Sequence, residues 1–250
     1  MKKKLCFLFC LCMIASFCKA QQIQAGIKAG VSIPNLSSSG DNPVSSGWSS
    51  RLGSYFGAIV QFGINDRISI QAELNYSSQG GKKNGLQAIS SKPYASYFPP
   101  GSQVPKYFYA VYDNKVKLNY LELPVLLKFD FPFAEKFSFF VDGGPYAGYL
   151  LSAKSVTSGS GNVYADKDLT QPYLPSAVSF DASTDVKEDI KKFNAGIQGG
   201  IGLSLRFANE SKLIFSAGGN YGFIPIQKDE ANGKNNTGAA TVTFGYVVNL

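Results

Sequence analysis

The sequence contains no histidine, and its only cysteines, Cys6, Cys10, Cys12 and Cys18, fall within the first twenty residues. The absence of histidine removes the side chain most often used as a general base. Beyond residue 20 there is no thiol nucleophile, no disulfide framework and no Cys/His metal site. No spacing argues for a Ser–Lys or carboxylate mechanism, so the chain reads as non-enzymatic and free of cofactors. Helical periodicity is also scarce, limited to a short turn around Asp185–Lys192. After the leader, no run is long and apolar enough to cross a membrane as a helix. The glycines of "GIQGGIG" do not form a dinucleotide loop, because strand residues follow where a helix should.

The basic excess is small once the leader is set aside. Lys2, Lys3, Lys4 and Lys19 account for four of the seven net positive charges, leaving +3. A nucleic-acid partner gains nothing from that balance. The leader itself, "MKKKLCFLFCLCMIASFCKA", joins a lysine n-region to an apolar core from Leu5 to Phe17. Small residues follow at Cys18 and Ala20, the pattern of an export signal cleaved after Ala20. Acylation at Cys18 is the alternative, opposed by bulky Phe17 just before it. The expected organisation is therefore a signal peptide at 1–20 and one domain at 21–250.

What is present is alternation of period two. In "LNYLELPVLLKFDF", Leu121, Leu123, Val125, Leu127 and Phe129 share one face, while Glu122, Pro124, Lys128 and Asp130 share the other. The same rhythm recurs from Ile23, Ser54, Ile68, Lys136, Phe193, Leu213 and Thr241, which makes eight strands. Tight turns at "IND", "PFAE" and "ANES" alternate with long polar loops near Pro34–Leu52, Ser78–Lys115, Ser152–Lys192 and Ile224–Thr237. A soluble sandwich has no reason to keep every long loop at one end. The expected fold is an all-β, eight-stranded antiparallel up-and-down transmembrane barrel with short periplasmic turns and long extracellular loops. Its apolar parity then faces lipid, and closure removes the exposed strand edges. A soluble periplasmic barrel is the competing placement.

"NYLELPVLLKF", "VDGGPYAGYLL" and "FNAGIQGGIGLSL" together resemble the PorT-type outer-membrane β-barrel family, whose members carry a Tyr-Leu-Glu-x-Pro motif on a central strand. The resemblance spans most of the mature chain and implies about eight strands and an outer-membrane location. It also implies a role as an accessory of protein secretion, the function of the family's namesake. The family often has Asp where Asn194 stands.

The inward parity collects Lys28, Glu73, Glu122, Lys128, Asp142 and Arg206. Small barrels have interiors that side chains fill, and buried charges must be paired or hydrated. Three acids and three bases point to a salt-bridged polar plug, with an ion or proton path as the alternative. Pro124 and Pro145 cannot donate ladder hydrogen bonds, so a bulge is expected at each.

Outside, the loop at 78–115 holds Tyr94, Tyr97, Phe98, Tyr107, Phe108, Tyr109 and Tyr112 among lysines. Such a surface suits a protein, a glycan or lipid phosphates. Tyr107–Tyr112 alternatively extends the barrel wall, with its aromatics at headgroup level. The acids of Ser152–Lys192 lack EF-hand spacing and read as a solvated loop. Phe244, Tyr246, Val248 and Leu250 alternate like the terminal strand signal read by the barrel-insertion machinery. The expected partners are thus outer-membrane lipid, that machinery, and a surface or secretion-system protein. The functional readings are loop binding or envelope structure, secretion accessory, and narrow channel.

Overall fold

Alternating side chains need two environments at once, and a sheet closed on itself supplies both. In the computed structural model, which describes residues 23–250, every long alternating segment is a strand. In chain order these are β1 (Ile23–Ser39), β2 (Gly53–Gly63), β3 (Ile68–Lys83), β4 (Leu86–Ser90), β5 (Tyr107–Val111), β6 (Asp113–Pro132) and β7 (Phe137–Ser158). There follow β8 (Ser160–Gly161), β9 (Val178–Ser179), β10 (Ala182–Asp185), β11 (Phe193–Arg206), β12 (Lys212–Gly222) and β13 (Lys234–Asn249). Strands β1, β2, β3, β6, β7, β11, β12 and β13 pair antiparallel with their sequence neighbours, and β13 returns to β1. The ring has eight members and no open edge. The signal-peptide reading of residues 1–20 lies outside the described residues.

Three short turns join the strands at one end. In the first, Asn65 Oδ1 accepts the Arg67 and Ile68 amides at 2.9 Å. In the third, Phe207 N–H donates to the Ser211 carbonyl at 2.8 Å. At the other end the wall climbs well past the apolar band. β1 continues to Ser39, β3 to Lys83 and β7 to Ser158, through segments that read as loops in the sequence. Polar residues on both faces hide a strand from a hydrophobic pattern, and here ladder pairing alone reveals it. Beyond a break at Asn84–Gly85 and Tyr112, Tyr107–Val111 pairs with Leu86–Ser90 in the register that joins β3 to β6, so this hairpin carries the β3–β6 ladder further up.

The outward face is apolar on every barrel strand. Leu121, Leu123, Val125, Leu127 and Phe129 are exposed on β6, and Phe244, Tyr246 and Val248 on β13. Aromatic pairs band both ends: Phe131 with Phe139 and Phe133 with Phe137 near the short turns, Tyr149 with Phe193 and Tyr221 with Phe223 toward the long loops. These are the lipid-facing belt and aromatic girdles of an outer-membrane barrel.

The expected proline bulges are absent. Pro124 stands opposite Tyr146 and Pro145 opposite Ile197, with register kept on both sides of each. The missing N–H groups leave gaps in the ladder rather than adding a residue. The register shift lies instead between Asn119 and Tyr120 on β6, opposite Leu150–Ser152 of β7. Tyr146, Gly148 and Leu150 therefore keep the inward facing of Phe140, and the facing of β7 changes only beyond Leu151. Glycine makes room inside for the large rings. A Cβ on Gly202 would meet Phe140 Cε1 at 2.6 Å, and one on Gly196 would meet Tyr146 Cε1 at 2.7 Å.

Candidate functional site

The lumen is filled in tiers. At the short-turn end a cavity of about 350 Å³ opens between Gln24, Gln61, Ser69, Arg67, Asp130 and Lys212. Arg206 lines this mouth and is half-exposed, bound to Glu210 at 3.7 Å. It has the inward parity but no place in the buried core, because β11 ends there and the side chain reaches water. Above the mouth lies Lys128, fully buried, with Nζ 4.2 Å from the Phe140 ring centre and 3.8 Å from Asp130 Oδ1.

The next tier holds an ion pair, Lys28 Nζ to Glu73 Oε2 at 2.6 Å. Gln71 donates to Glu73 Oε1 at 2.6 Å, while Asn75 and Gln198 donate to Oε2 at 2.8 and 3.3 Å. Tyr55 lies under Lys28, with the ammonium 5.0 Å from its ring centre, and accepts from Asn75 at 2.8 Å. A cavity of about 30 Å³ beside Lys28, Glu73 and Asp142 has room for one water molecule.

Glu122 occupies a different tier and is held differently. Gln79 and Asn220 donate to its two oxygens at 3.3 and 3.2 Å, and among the described residues it has no basic partner. The six charges therefore do not form one salt-bridged plug. Lys28 and Glu73 form one close ion pair, Lys128 stands near Asp130, an acid outside the six, Asp142 lines the small cavity and Glu122 is held by amides, while Arg206 lies at the mouth. No group of three or more potential metal ligands converges among the described residues.

Above Glu122 the lumen turns apolar. Leu118, Tyr120, Leu150 and Ala153 from the wall close around Leu36 from the upper end of β1 and Ile190 and Ile226 from the loops, with Trp48 and Val186 against them. A single large apolar residue in a polar loop is a weak sequence signal, and these residues become a plug only when three loops converge.

The loops also bind one another. Ile190 bridges to Gln227, Lys191 N–H donates to Ile226 O at 2.8 Å, and Lys228 N–H donates to Asp189 O at 2.9 Å. Ion pairs add Lys191–Glu230 at 3.2 Å, Lys234–Glu230 at 2.6 Å and Lys92–Asp229 at 3.5 Å. Lys234 and then Lys191 hold the Glu230 carboxyl below the usual carboxylate range. Tyr109 and Tyr164 exchange backbone hydrogen bonds of 2.9 and 2.8 Å.

The seven aromatic residues divide accordingly. Phe108 is buried against Tyr173 at 4.5 Å, with Phe98 beside both. Tyr112 stacks on Phe180 at 4.7 Å. Tyr107 meets Asn42 through its hydroxyl and Lys106 over its ring. Tyr94 and Tyr97 project outward, 48% and 81% exposed, from a 3₁₀ turn at Lys92–Tyr97. The proline-rich segment around them forms no regular strand, as its composition indicates.

A family match agrees with this architecture. The profile of the outer membrane protein beta-barrel domain matches residues 19–228. Among solved structures, Neisserial surface protein A is similar at a TM-score of 0.45 and 12% identity, covering 90% of this chain and 97% of that one. OprG of Pseudomonas aeruginosa follows at 0.41 and 10% identity, covering 92% and 98%. Ail of Yersinia pestis stands at 0.38 and 13%, covering 90% and 99%. No curated protein sequence matches the chain.

Proposed function

Since this chain belongs to the outer membrane protein beta-barrel domain family, we propose that it is a non-enzymatic surface barrel whose fused extracellular cap serves as a binding face. The observation that carries this reading is the cap's own buried core. Loops that pack on Ile190 and Ile226 and are laced by ion pairs are held in one conformation. A preordered surface loses less entropy on binding than free loops do. Tyr94 and Tyr97 stand exposed on it beside Lys92, with large contact area and polar tips. The plug beneath argues against the channel reading, because apolar side chains fill the route from the polar tiers to the outside.

The secretion-accessory reading rests on the family resemblance, of which the Tyr-Leu-Glu-x-Pro motif is the most specific part. Here Tyr120, Glu122 and Pro124 are buried in the lumen, where a protein partner has no access. We therefore favour the cap.

The test uses the folded barrel on arrays of glycans and extracellular proteins. Ligands bound by the wild type are expected to be lost on Tyr94→Ser/Tyr97→Ser, with heat-modifiable gel mobility retained. Binding that survives this change and deletion of Lys92–Lys106 overturns the proposal.

A further inference from the structure

One side of the barrel turns basic on its lipid-facing wall just above the aromatic girdle. Lys82 of β3 stands directly opposite Lys115 of β6, and Lys117 of β6 stands directly opposite Lys154 of β7. All four side chains face outward. On β6 the outward parity carries Lys115, Lys117, Leu121 and Leu123, all exposed, with half-buried Asn119 between the lysines and the leucines. On β7 the register shift leaves Ala153 buried and Lys154 exposed. On β3, Lys82 lies between Gly81, which faces Trp48 and Leu36, and Lys83, which reaches inward to the Pro43 and Val44 carbonyls.

Like charges opposite one another on neighbouring strands repel. Two such pairs side by side on three consecutive strands concentrate that cost in one patch. Among the described residues none of the four lysines has an ion-pair partner. Two acids border the patch: Asp113 shares the exposed parity of β6 two residues before Lys115, and Asp185 stands directly opposite Lys154 on β10 and accepts the Lys187 amide at 2.8 Å. Lys187 adds a fifth cation at the foot of the patch, where its Nζ donates to the Leu151 carbonyl at 2.7 Å. Two acids against five cations leave the patch net positive, and a counter-charge from outside the chain offsets that excess.

The height of the patch identifies that counter-charge. Leu121 and Tyr149 form the uppermost apolar cross-strand pair on this wall, next to Phe193. Lys117 lies four residues farther along, about 13 Å of strand and about 10 Å of height at a tilt near 40°. Lysine stems reach back toward the interface from such a position. The patch therefore flanks the headgroup layer rather than the cap, and it looks sideways into the membrane. We propose that Lys82, Lys115, Lys117 and Lys154 form a wall site for the phosphates of an outer-leaflet glycolipid. Bound there, the lipid would pin the barrel to its annulus on one side only.

The test is native mass spectrometry of the full folded protein in detergent, titrated with diphosphorylated lipid A. Wild type should retain bound lipid, and Lys117→Gln/Lys154→Gln should bind about thirty-fold more weakly. Dephosphorylated lipid A should bind no better to wild type than lipid A does to that variant. Lys136→Gln/Lys167→Gln, with the same charge change elsewhere, should bind as wild type. Should the first variant fail to show heat-modifiable mobility, Lys82→Gln/Lys115→Gln replaces it with the same expectation. Equal binding by the patch variant, equal binding of dephosphorylated lipid, or equal weakening in the control would each overturn the proposal. Displacement of lipid by millimolar inorganic phosphate would assign the site to a soluble anion and overturn the lipid. A dimer lost with the patch would assign it to a second copy.

Discussion

The two buried glutamates should answer one near-isosteric change with opposite signs. Glu73 carries the lumen's close ion pair and three further amide hydrogen bonds, whereas Glu122 is held by two amides and no cation. Glu73→Gln leaves the Lys28 ammonium buried without its counter-ion, a loss on the order of 3–5 kcal/mol. With a urea dependence of roughly 2 kcal/mol per molar, the unfolding midpoint should fall by roughly 2 M. Glu122→Gln removes a charge that has no opposite charge to justify its burial. The new amide still accepts one hydrogen bond through its oxygen. Its NH₂ meets Gln79, whose Oε1 has no partner and turns to accept it. The expected change is a stabilisation of about 1 kcal/mol. Fluorescence of the single tryptophan, Trp48, which packs on the plug, follows unfolding of the barrel in lipid vesicles. Destabilisation by both substitutions to the same extent would refute the reasoning, since it would mean that Glu122 also draws on a cation.

The plug makes a second prediction. Ile226→Ala deletes about three buried methylene equivalents and leaves a cavity, for roughly 3 kcal/mol. Amide exchange in 159–192 and 223–233 should rise about a hundredfold while the eight barrel strands stay protected; unchanged exchange would mean that the cap does not rest on this residue. A third prediction concerns acid. Glu230 has its carboxyl held below the ordinary value, so its ion pairs contribute fully above the unfolded carboxylate pKa of about 4.3 and are lost as pH falls through the lower folded value. Protease cleavage within 223–233 should accelerate below pH ~4, and Glu230→Gln should make it faster at neutral pH and less sensitive to acid. Cleavage that ignores pH in the wild type would dismiss the Lys191–Glu230–Lys234 cluster as a clasp.

Period-two alternation is a property of one strand, and it survives any register. For that reason the sequence alone determines eight strands, their lipid-facing parity, the three tight turns and the side of the wall on which Lys28, Glu73, Glu122 and Lys128 stand. Register is a relation between strands, settled only when β13 closes on β1 and every ladder aligns. Closure decides that Lys28 meets Glu73 rather than Glu122, and that Arg206 falls at the mouth. It also sets Lys117 against Lys154, and carries the ladder past Pro124 and Pro145 without a bulge. The cap lies further still from sequence. Leu36, Ile190 and Ile226 lie up to 190 positions apart in the chain, with no shared periodicity to mark them as one cluster. They become a core because the loops meet over one mouth, and burial there is worth more to the chain than leaving each residue in water.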